Sequence, residues 1–372
     1  MALTKVDPSV VDDQVFGRRN VIINGSMQVA QRTTSTADLG GSGVNTFGAC
    51  DRWKIVTNGI SGRVTQSQET DSPDDFGFST KLACTTADTS IGASDYFILQ
   101  YDVEGQDLKR FAKGTSSAKE FTISFFVKGN ASANYTLELY DTDNNRQISK
   151  TYSVTTSWSR VELTYPADTT GANTADSTSG LSLKFWLHAG TDRTSGTLNS
   201  SAWGAGSNTS SRVSSSSTNF FDSTSRTFFI TGVQLEVGDT ATPFEYRSFG
   251  EELSLCQRYC QKYGPYGSSS FPYGPSGYSY AATTTAVGQI LPVELRGDPT
   301  ISFGGAGNPE LRGGETAGSN SGRAVTSVNF IKARGASLMM NVTTSGGGNE
   351  SGQTAVLCNA SNNNFMIYDA EI

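Results

Sequence analysis

The chain has 372 residues, which is longer than one average domain and predicts two domains with small appendages. Its 40 glycines, together with long runs of Ser, Thr and Asn, are typical of a loop-rich all-β protein. A net charge of −7 leaves no broad basic surface for phosphates, so no nucleic-acid partner is expected. No apolar stretch approaches the length of a membrane-spanning helix, which argues against membrane insertion.

The cysteines are odd in number and scattered along the sequence, a pattern that fits neither a disulfide framework nor a metal cluster. We therefore expect free, buried thiols, and neither a metal nor a cofactor. The residues concerned are Cys50, Cys84, Cys256, Cys260 and Cys358.

Residues 1–19 are polar and irregular and carry acidic side chains among the apolar ones, so they do not read as a signal peptide. The mature chain is therefore expected to be the gene product. The segment is predicted to be an arm that becomes ordered on a partner, with a frayed terminus as the alternative.

From residue 20 to 246 the sequence contains short strands with period-two alternation and no helices between them, which predicts a β-sandwich. A short helix or turn is expected at residues 102–111. The loops at 166–179 and 191–222 are unusually long and are expected to be functional or flexible. The clearest strands are Phe121–Lys128, Tyr135–Tyr140, Ser149–Ser153, Ser159–Tyr165 and Leu181–His188.

The stretch Asp141–Asn145 begins like a calcium loop. Arg146 stands where such a loop requires glycine, and Tyr152 stands where it requires a bidentate glutamate. The stretch is therefore predicted to be a hairpin turn. Calcium bound elsewhere in the sandwich is left open.

Between Phe249 and Tyr263 the apolar period changes to that of a helix. Acidic Glu251 and Glu252 fall in its first turn and basic Arg258 and Lys262 in its last, which suits the helix dipole. The apolar positions are expected to form either a short trimer seam or an interface within the chain. They are Leu253, Cys256, Cys260 and Tyr263.

A glycine- and tyrosine-rich tract follows the helix up to Tyr280, and its rings would face either a glycan or an interface. Further strands predict a second, smaller β-sandwich that extends to the end of the chain. These strands are Ala286–Leu291, Val325–Ile331, Ala336–Val342, Ala355–Leu357 and Phe365–Tyr368.

One strand near the centre of the chain carries the most informative pattern, Gly232–Pro243 followed by Phe244-Glu245. Period-two spacing places Phe229, Thr231, Val233 and Leu235 on one of its faces. It looks like the closing strand and exit turn of a jelly-roll module in bacteriophage tail-fibre proteins, where it pairs with an upstream segment. That segment here is Asn20–Gly25.

Other landmarks occur in the order seen in tail-fibre or receptor-binding proteins of marine and environmental phages, which the chain resembles over nearly its whole length. The resemblance implies a jelly roll like a carbohydrate-binding module, a homotrimer and a place on the virion after synthesis in the host cytoplasm. No shaft-like repeat is present, which favours a compact tip, adaptor or decoration protein. The landmarks are Gln31-Arg32, Asp51–Trp53, Ser124–Lys128, Cys256–Cys260 and Pro292–Thr300.

The sequence thus predicts an all-β chain in four parts. They are an attachment arm (1–19), a jelly-roll β-sandwich (20–246), a short helical linker (247–264) and a C-terminal β-domain (265–372). The arm is expected to contact other phage tail or capsid proteins.

Glycan recognition requires an aromatic plane for sugar C–H groups and neighbouring hydrogen-bonding side chains. In Leu181–His188 the apolar residues occupy one face, so Lys184, Trp186 and His188 share the other. Phe126, Lys128, Glu138 and Tyr140 are expected on corresponding faces of two other strands, completing a concave glycan site. The alternative is that Trp186 packs under the 191–222 loop or in a subunit interface.

No pair of carboxylates stands out as a catalytic pair, and His188 is the only histidine. We therefore expect a non-enzymatic receptor-binding protein that contacts host-surface polysaccharide. A tail adaptor or a capsid-attached decoration fibre is the alternative, and a glycan depolymerase is a third hypothesis.

Overall fold

The computed structural model describes residues 18–265, 272–305, 309–313, 322–345, 352–359 and 364–372. The chain divides into two compact units, Met1–Glu252 and Leu253–Ile372. The predicted arm lies outside the described residues except for Arg18 and Arg19. No helix in the described ranges combines the length and the hydrophobicity that a bilayer crossing requires.

The first unit is built from short strands joined by loops, with a four-residue helix α1 at Thr191–Thr194 and 3₁₀ helices at Gly105–Phe111, Thr209–Ser211 and Phe220–Asp222. The strands are β1 Ser35–Gly40, β2 Asn45–Phe47, β3 Lys54–Asn58, β4 Arg63–Glu69, β5 Ser79–Thr86, β6 Tyr96–Glu104, β7 Phe121–Gly129, β8 Ala133–Asp141, β9 Arg146–Val154, β10 Ser159–Tyr165, β11 Ser179–Ala189, β12 Gly204–Ala205 and β13 Thr227–Val237.

These strands form two antiparallel sheets, and their inward side chains make up one hydrophobic core. The six-stranded sheet has the order β1-β4-β5-β13-β7-β10, and the seven-stranded sheet has the order β12-β9-β8-β11-β6-β3-β2. Alternate residues face the core because successive side chains of a strand point to opposite sides. The first unit is therefore the jelly-roll sandwich that the sequence predicted, and the all-β prediction is confirmed.

The upstream segment predicted to pair with β13 does so. The backbone N–H of Val21 donates to the Leu235 carbonyl (3.2 Å), and that of Val233 donates to the Gly25 carbonyl (3.0 Å). The Asn20 side chain lies between them, donating to the Val233 carbonyl (3.1 Å) and accepting from the Leu235 N–H (3.1 Å). One buried amide thus fixes the register of two segments more than 200 residues apart.

Strand β13 contains a bulge that corrects its predicted faces. Its register against β7 shifts between Thr231 and Gln234, and Gly232 within the shift has a φ of +62°. A bulge adds one residue to a strand and so exchanges inward and outward positions. Phe229 and Thr231 therefore lie on the outer face, contrary to the prediction. The β13 residues in the core are Phe228, Ile230, Val233, Leu235 and Val237.

The second unit is also mainly β-structure. It begins within helix α2, Phe249–Gln257, and continues through short strands. They are β14 Cys260–Tyr263, β15 Pro272–Ala281, β16 Thr284–Ile290, β17 Thr300–Gly304, β18 Glu310–Gly313, β19 Arg323–Arg334, β20 Ser337–Thr344, β21 Thr354–Cys358 and β22 Phe365–Asp369.

Six of these strands close into a barrel in the order β15-β16-β20-β19-β18-β21, and β14-β22-β17 form a separate three-stranded sheet. The sequence predicted a second sandwich instead. The sheet closes because β15 pairs with both β16 and β21, with register shifts in β15 and β19. Such irregularities add the curvature that closing a barrel requires.

Helix α2 is shorter than predicted. It ends at Gln257, and Cys260 and Tyr263 lie on β14, paired with Asp369 and Met366 of β22. Glu251 and Glu252 do occupy its first turn, but no basic residue lies in its last turn. The helical spacing failed because pairing with β22 imposes strand geometry from Cys260 onward.

The predicted seam residues differ in burial. Cys256 and Cys260 are fully buried within a single chain, so their side chains have no surface left for a subunit contact. Leu253 and Tyr263 are half-buried, and the Tyr263 ring packs against Tyr368 with centroids 5.6 Å apart. All five cysteines are free and buried, as expected.

Candidate functional site

Three of the predicted glycan residues, on β11 and β8, lie on the outer face of the seven-stranded sheet. The alternating Leu181, Leu183, Phe185 and Leu187 of β11 join the core, which leaves Lys184 and Trp186 on the opposite side. The register against β6 shifts between Trp186 and His188, so His188 pairs with the core residue Phe97 and lies on the inner side, contrary to the prediction. Tyr140 of β8 shares the outer side, since Ser182 pairs with it and Lys184 pairs with Glu138 in the same register. The structure thus brings three of the five predicted glycan residues, Lys184, Trp186 and Tyr140, to one face.

The Trp186 ring is nevertheless covered and only 2% exposed. It packs with Ile98 and with Val213 of the 191–222 loop, and its Nε1–H donates to Glu138 Oε2 at 2.8 Å. The Tyr96 ring meets it edge-on at 5.6 Å. Trp186 thus packs under the loop, the alternative that the sequence left open, and its ring has no face available for a sugar.

His188 is also buried, at 2% exposure. Its Nδ1 is paired with Asn219 Oδ1, and its ring meets Phe221 edge-on at 5.5 Å. Burial lowers the pKa of the imidazole, which is therefore neutral at pH 7. In the described residues Nε2 has no hydrogen-bond partner, and no group of three or more metal-ligating side chains is present.

Lys184 and Tyr140 form the half-exposed part of this face. The Lys184 ammonium lies 4.0 Å from the Tyr140 ring centroid, and the Arg212 guanidinium lies 4.8 Å from it. Burial lowers the pKa of Lys184, and the Glu138 carboxylate opposes this shift. Because cations already occupy the ring of Tyr140, this pair offers hydrogen-bond donors rather than an open stacking surface.

Phe126 lies on the other sheet, so the five predicted residues cannot form one site. It belongs to β7 of the six-stranded sheet, whereas Tyr140 belongs to β8 of the seven-stranded sheet. The connection at 130–132 carries the chain from one sheet to the other. Sequence alternation placed both residues outside the core, which is correct, but alternation does not reveal the sheet to which a strand belongs.

The outer face of the six-stranded sheet carries a group of rings around Phe126. Phe76 packs against Phe126, Phe244 and Tyr246 with centroid distances of 5.4, 5.1 and 5.5 Å. Phe76 is buried, Phe126 and Phe244 are half-buried, and Tyr246 is 56% exposed. We call these four residues the outer aromatic patch. Gly232, the glycine of the β13 bulge, has no side chain, which leaves room for the rings of Phe76 and Phe126.

A second group, the Trp158 cluster, lies on the same outer face, and its Lys128 is two residues after Phe126 on β7. It consists of Lys81, Phe229, Lys128, Trp158 and Asp71. Phe229 pairs with Lys81 on one side and Lys128 on the other. The Lys128 ammonium lies 4.9 Å from the Phe229 ring centroid and 5.3 Å from that of Trp158, and the two rings are 6.1 Å apart.

Asp71 connects the charges of this cluster. Its carboxylate accepts a hydrogen bond from Trp158 Nε1–H at 3.1 Å and forms an ion pair with Lys128. The Lys128 hydrogen bond is the main cause that lowers the pKa of Asp71. The Asp71 side chain is 47% exposed and the Trp158 ring is half-buried. An ionised acceptor, an ammonium donor and an aromatic plane are therefore held together at the surface.

This arrangement has the chemistry of a sugar-binding surface, because an indole plane can pack on pyranose C–H groups while the charged groups bond to hydroxyls. Arg160 and Glu162 of β10 extend the polar groups on the same face, 2.9 Å apart. Of the Trp158 cluster, the sequence placed only Lys128 among the glycan-site residues. The alternation of Trp158, Arg160 and Glu162 at the start of β10 was the available signal, and Phe229 was missed because the bulge hides its true face.

The tyrosine tract divides in the structure. Tyr273 is buried in the core of the second unit, whereas Tyr278 and Tyr280 of β15 are exposed. Tyr266 and Phe271 lie outside the described residues.

No protein-family model matches the chain, and no curated protein matches it. Among solved structures it is similar to a family 4 carbohydrate-binding module (15% identity, 58% of this chain and 98% of that chain, TM-score 0.30). It is also similar to a family 11 carbohydrate-binding module from Clostridium thermocellum in complex with a β-1,3-1,4-mixed-linked tetrasaccharide (13%, 56% and 99%, 0.28). A third is the enzymatically active domain of bacteriophage CBA120 tailspike protein 4 (12%, 59% and 21%, 0.29).

Proposed function

We propose that the protein is a non-catalytic bacteriophage virion component, a homotrimeric tail-fibre or receptor-binding protein that binds host-surface polysaccharide. The observation that supports glycan binding is the Trp158 cluster, in which Trp158, Lys128 and Asp71 are positioned by one another at the surface. The virion role and the trimer follow from the sequence resemblance to phage tail-fibre proteins.

The six-stranded face is the better binding surface because its rings are accessible. On the opposite face Trp186 is buried and two cations lie against the Tyr140 ring, while His188 is buried on the inner side of that sheet. On the six-stranded face Tyr246 is exposed and Trp158 is half-buried. The Trp158 cluster and the outer aromatic patch together provide two ring platforms side by side, which suits a glycan chain longer than one sugar.

Asp71 is not suited to act as the acid of a glycosidase. A glycosidase needs a carboxyl group whose raised pKa lets it donate a proton. Lys128 and Trp158 have the opposite effect on Asp71, since both hydrogen bonds lower its pKa. Asp71 is therefore suited to accept hydrogen bonds from sugar hydroxyls.

The test is binding of the purified oligomer to host cells, with soluble host polysaccharide as competitor. We expect competed binding, and a loss of at least about tenfold in affinity for Trp158→Ala, the size expected when an aromatic platform is removed. Ile91→Ala is the matched control, because Ile91 is an exposed apolar residue of the same unit outside both groups of rings. Asp71→Asn keeps the shape of the side chain and should also weaken binding.

Three outcomes would contradict parts of the proposal. A Trp158→Ala protein that is folded and binds as tightly as the parent would exclude this site. A folded parent oligomer that does not bind host cells would favour the adaptor or decoration role. Release of oligosaccharides from host polysaccharide would identify a depolymerase. Light scattering on the same sample measures whether the oligomer is a trimer.

A further inference from the structure

The ammonium group of Lys113 is enclosed by oxygen atoms inside the first unit. It contacts the carboxylates of Asp141 and Asp168 (3.1 Å to Asp168 Oδ2). The Lys113 side chain is only 6% exposed, so its ammonium group is shielded from solvent. It also donates to the backbone carbonyls of Gly171 (2.8 Å) and Thr170 (3.2 Å). We call the two carboxylates and two carbonyls that surround the ammonium group the Lys113 cage.

Other groups fix the two carboxylates of the cage independently of Lys113. Arg146 binds both oxygens of Asp168 through Nε (2.8 Å) and Nη2 (3.0 Å). Asp141 accepts hydrogen bonds from the Asn144 N–H (3.1 Å) and from Asn173 Nδ2 (3.2 Å). The cage is therefore a preorganised set of oxygens rather than a set gathered by the lysine alone.

Lys113 and the groups of the cage come from separate parts of the chain. Lys113 follows the 3₁₀ helix Gly105–Phe111, and Asp141 ends β8. Asp168, Thr170 and Gly171 lie in the long loop after β10. Asp141 is the one residue of the calcium-like stretch that reaches the cage. Asp143 instead accepts the backbone N–H of Thr174 at 2.9 Å. A cation at this point holds a hairpin and two loops together.

Two carboxylates and two backbone carbonyls are the ligands that calcium prefers, at 2.3–2.6 Å, with waters completing the shell. The formal charges of Asp141, Asp168, Arg146 and Lys113 sum to zero, and removing the ammonium leaves a charge of −1 in a buried place. We propose that the Lys113 ammonium is a tethered cation occupying a site of the calcium class. The fold consequently needs no metal at this site, and shortening Lys113 turns the cage into a divalent-cation site.

Trp203 provides a direct readout, because its ring centroid lies 5.3 Å from Lys113 Nζ. A terbium ion in the cage would be excited by energy transfer from this indole. We expect Lys113→Ala to show saturable terbium emission on tryptophan excitation, displaced by calcium, with a dissociation constant on the order of 10⁻⁴ M. The parent protein should show no such emission. Lys109→Ala is the matched control, because Lys109 is an exposed lysine outside the cage that donates to the Asn173 carbonyl.

Thermal unfolding supplies the second measurement. Lys113→Ala without metal should lower the Tm by roughly 10 °C, since it leaves a buried charge uncompensated. Calcium should restore part of that loss in the variant. Neither calcium nor a chelator should change the Tm of the parent. Where Lys113→Ala does not fold, Lys113→Ser also shortens the side chain and empties the cage, and it is measured in the same way.

Two results would overturn the proposal. One is a folded Lys113 variant that gives no more terbium emission than the parent and no calcium-dependent rise in Tm. The other is emission that persists at full strength when Trp203→Phe is added to the variant, which would locate the ion elsewhere.

Discussion

Thr242 binds both carboxylate oxygens of Glu236, through its backbone N–H to Oε1 (2.9 Å) and through its hydroxyl to Oε2 (2.6 Å). Glu236 lies on β13 and is buried. Gln234 adds a hydrogen bond to Glu236 Oε1 at 2.8 Å and accepts the Glu245 N–H, also at 2.8 Å. These contacts hold the segment after β13 against the outer face of its own sheet. They give a physical reason for the polar residues of the Gly232–Pro243 pattern.

We expect Thr242→Val to lower the free energy of unfolding by about 2 kcal/mol, because it removes a hydrogen bond to a buried carboxylate and leaves one oxygen unsatisfied. Urea unfolding followed by fluorescence measures the change. Thr240→Val is the control, since the Thr240 hydroxyl bonds only to exposed Asp239. Equal stabilities of the two variants would show that the exit segment is not held by Glu236.

Gly232 should not tolerate alanine. A Cβ atom there would lie 2.6 Å from Phe76 and 2.9 Å from Phe126, at a φ that disfavours side chains. We expect Gly232→Ala to cost about 3 kcal/mol of unfolding free energy, part from backbone strain and part from displaced rings. Gly43→Ala isolates the strain, because Gly43 has a φ of +72° and open space around it. A cost no greater than that of Gly43→Ala would contradict close packing of the patch at the bulge.

Trp186→Ala should be a stability variant rather than a binding variant. It opens a cavity beneath the 191–222 loop and removes a donor from buried Glu138, for an expected loss of about 4 kcal/mol. Denaturant unfolding measures this loss. At denaturant concentrations that leave the variant folded, its host-cell binding should equal that of the parent. A stable Trp186→Ala protein with reduced binding would instead assign glycan contact to the seven-stranded face.

His188 should give the protein a stability that falls with acid. Burial lowers its folded pKa below the ordinary value of 6.5, so the unfolded chain takes up the proton first. Stability should therefore be unchanged above pH 6.5 and decline as the pH falls from 6.5 toward the folded pKa. Burial also raises the pKa of Glu252, so the test compares two proteins over the same pH range. As His188 is the sole histidine, the stability of the parent relative to His188→Gln should fall between pH 7 and about 5. A stability difference that stays constant over that range would contradict the burial-induced shift.

Local features of the sequence determined the strands. Period-two alternation located Ser159–Tyr165 at the same bounds as β10, and Asp141–Asn145 formed the expected turn between β8 and β9. Both depend on neighbouring residues, since alternation follows from the geometry of a strand and turns follow from a few polar side chains. The helical spacing failed at Cys260, where pairing with β22 imposes strand geometry.

Only the tertiary structure decided which aromatic residues are available for binding. Trp158 and Trp186 both occupy outward positions, and no local pattern distinguishes them. A loop from residues 191–222 covers Trp186, whereas Trp158 lies at the surface beside Asp71. The bulge at Gly232 moved Phe229 to the outer face, and the change of sheet after β7 separated Phe126 from Tyr140. Alternation thus determined which side of a regular strand is buried, while bulges and contacts between distant segments determined the faces beyond each bulge and which outward side remains open.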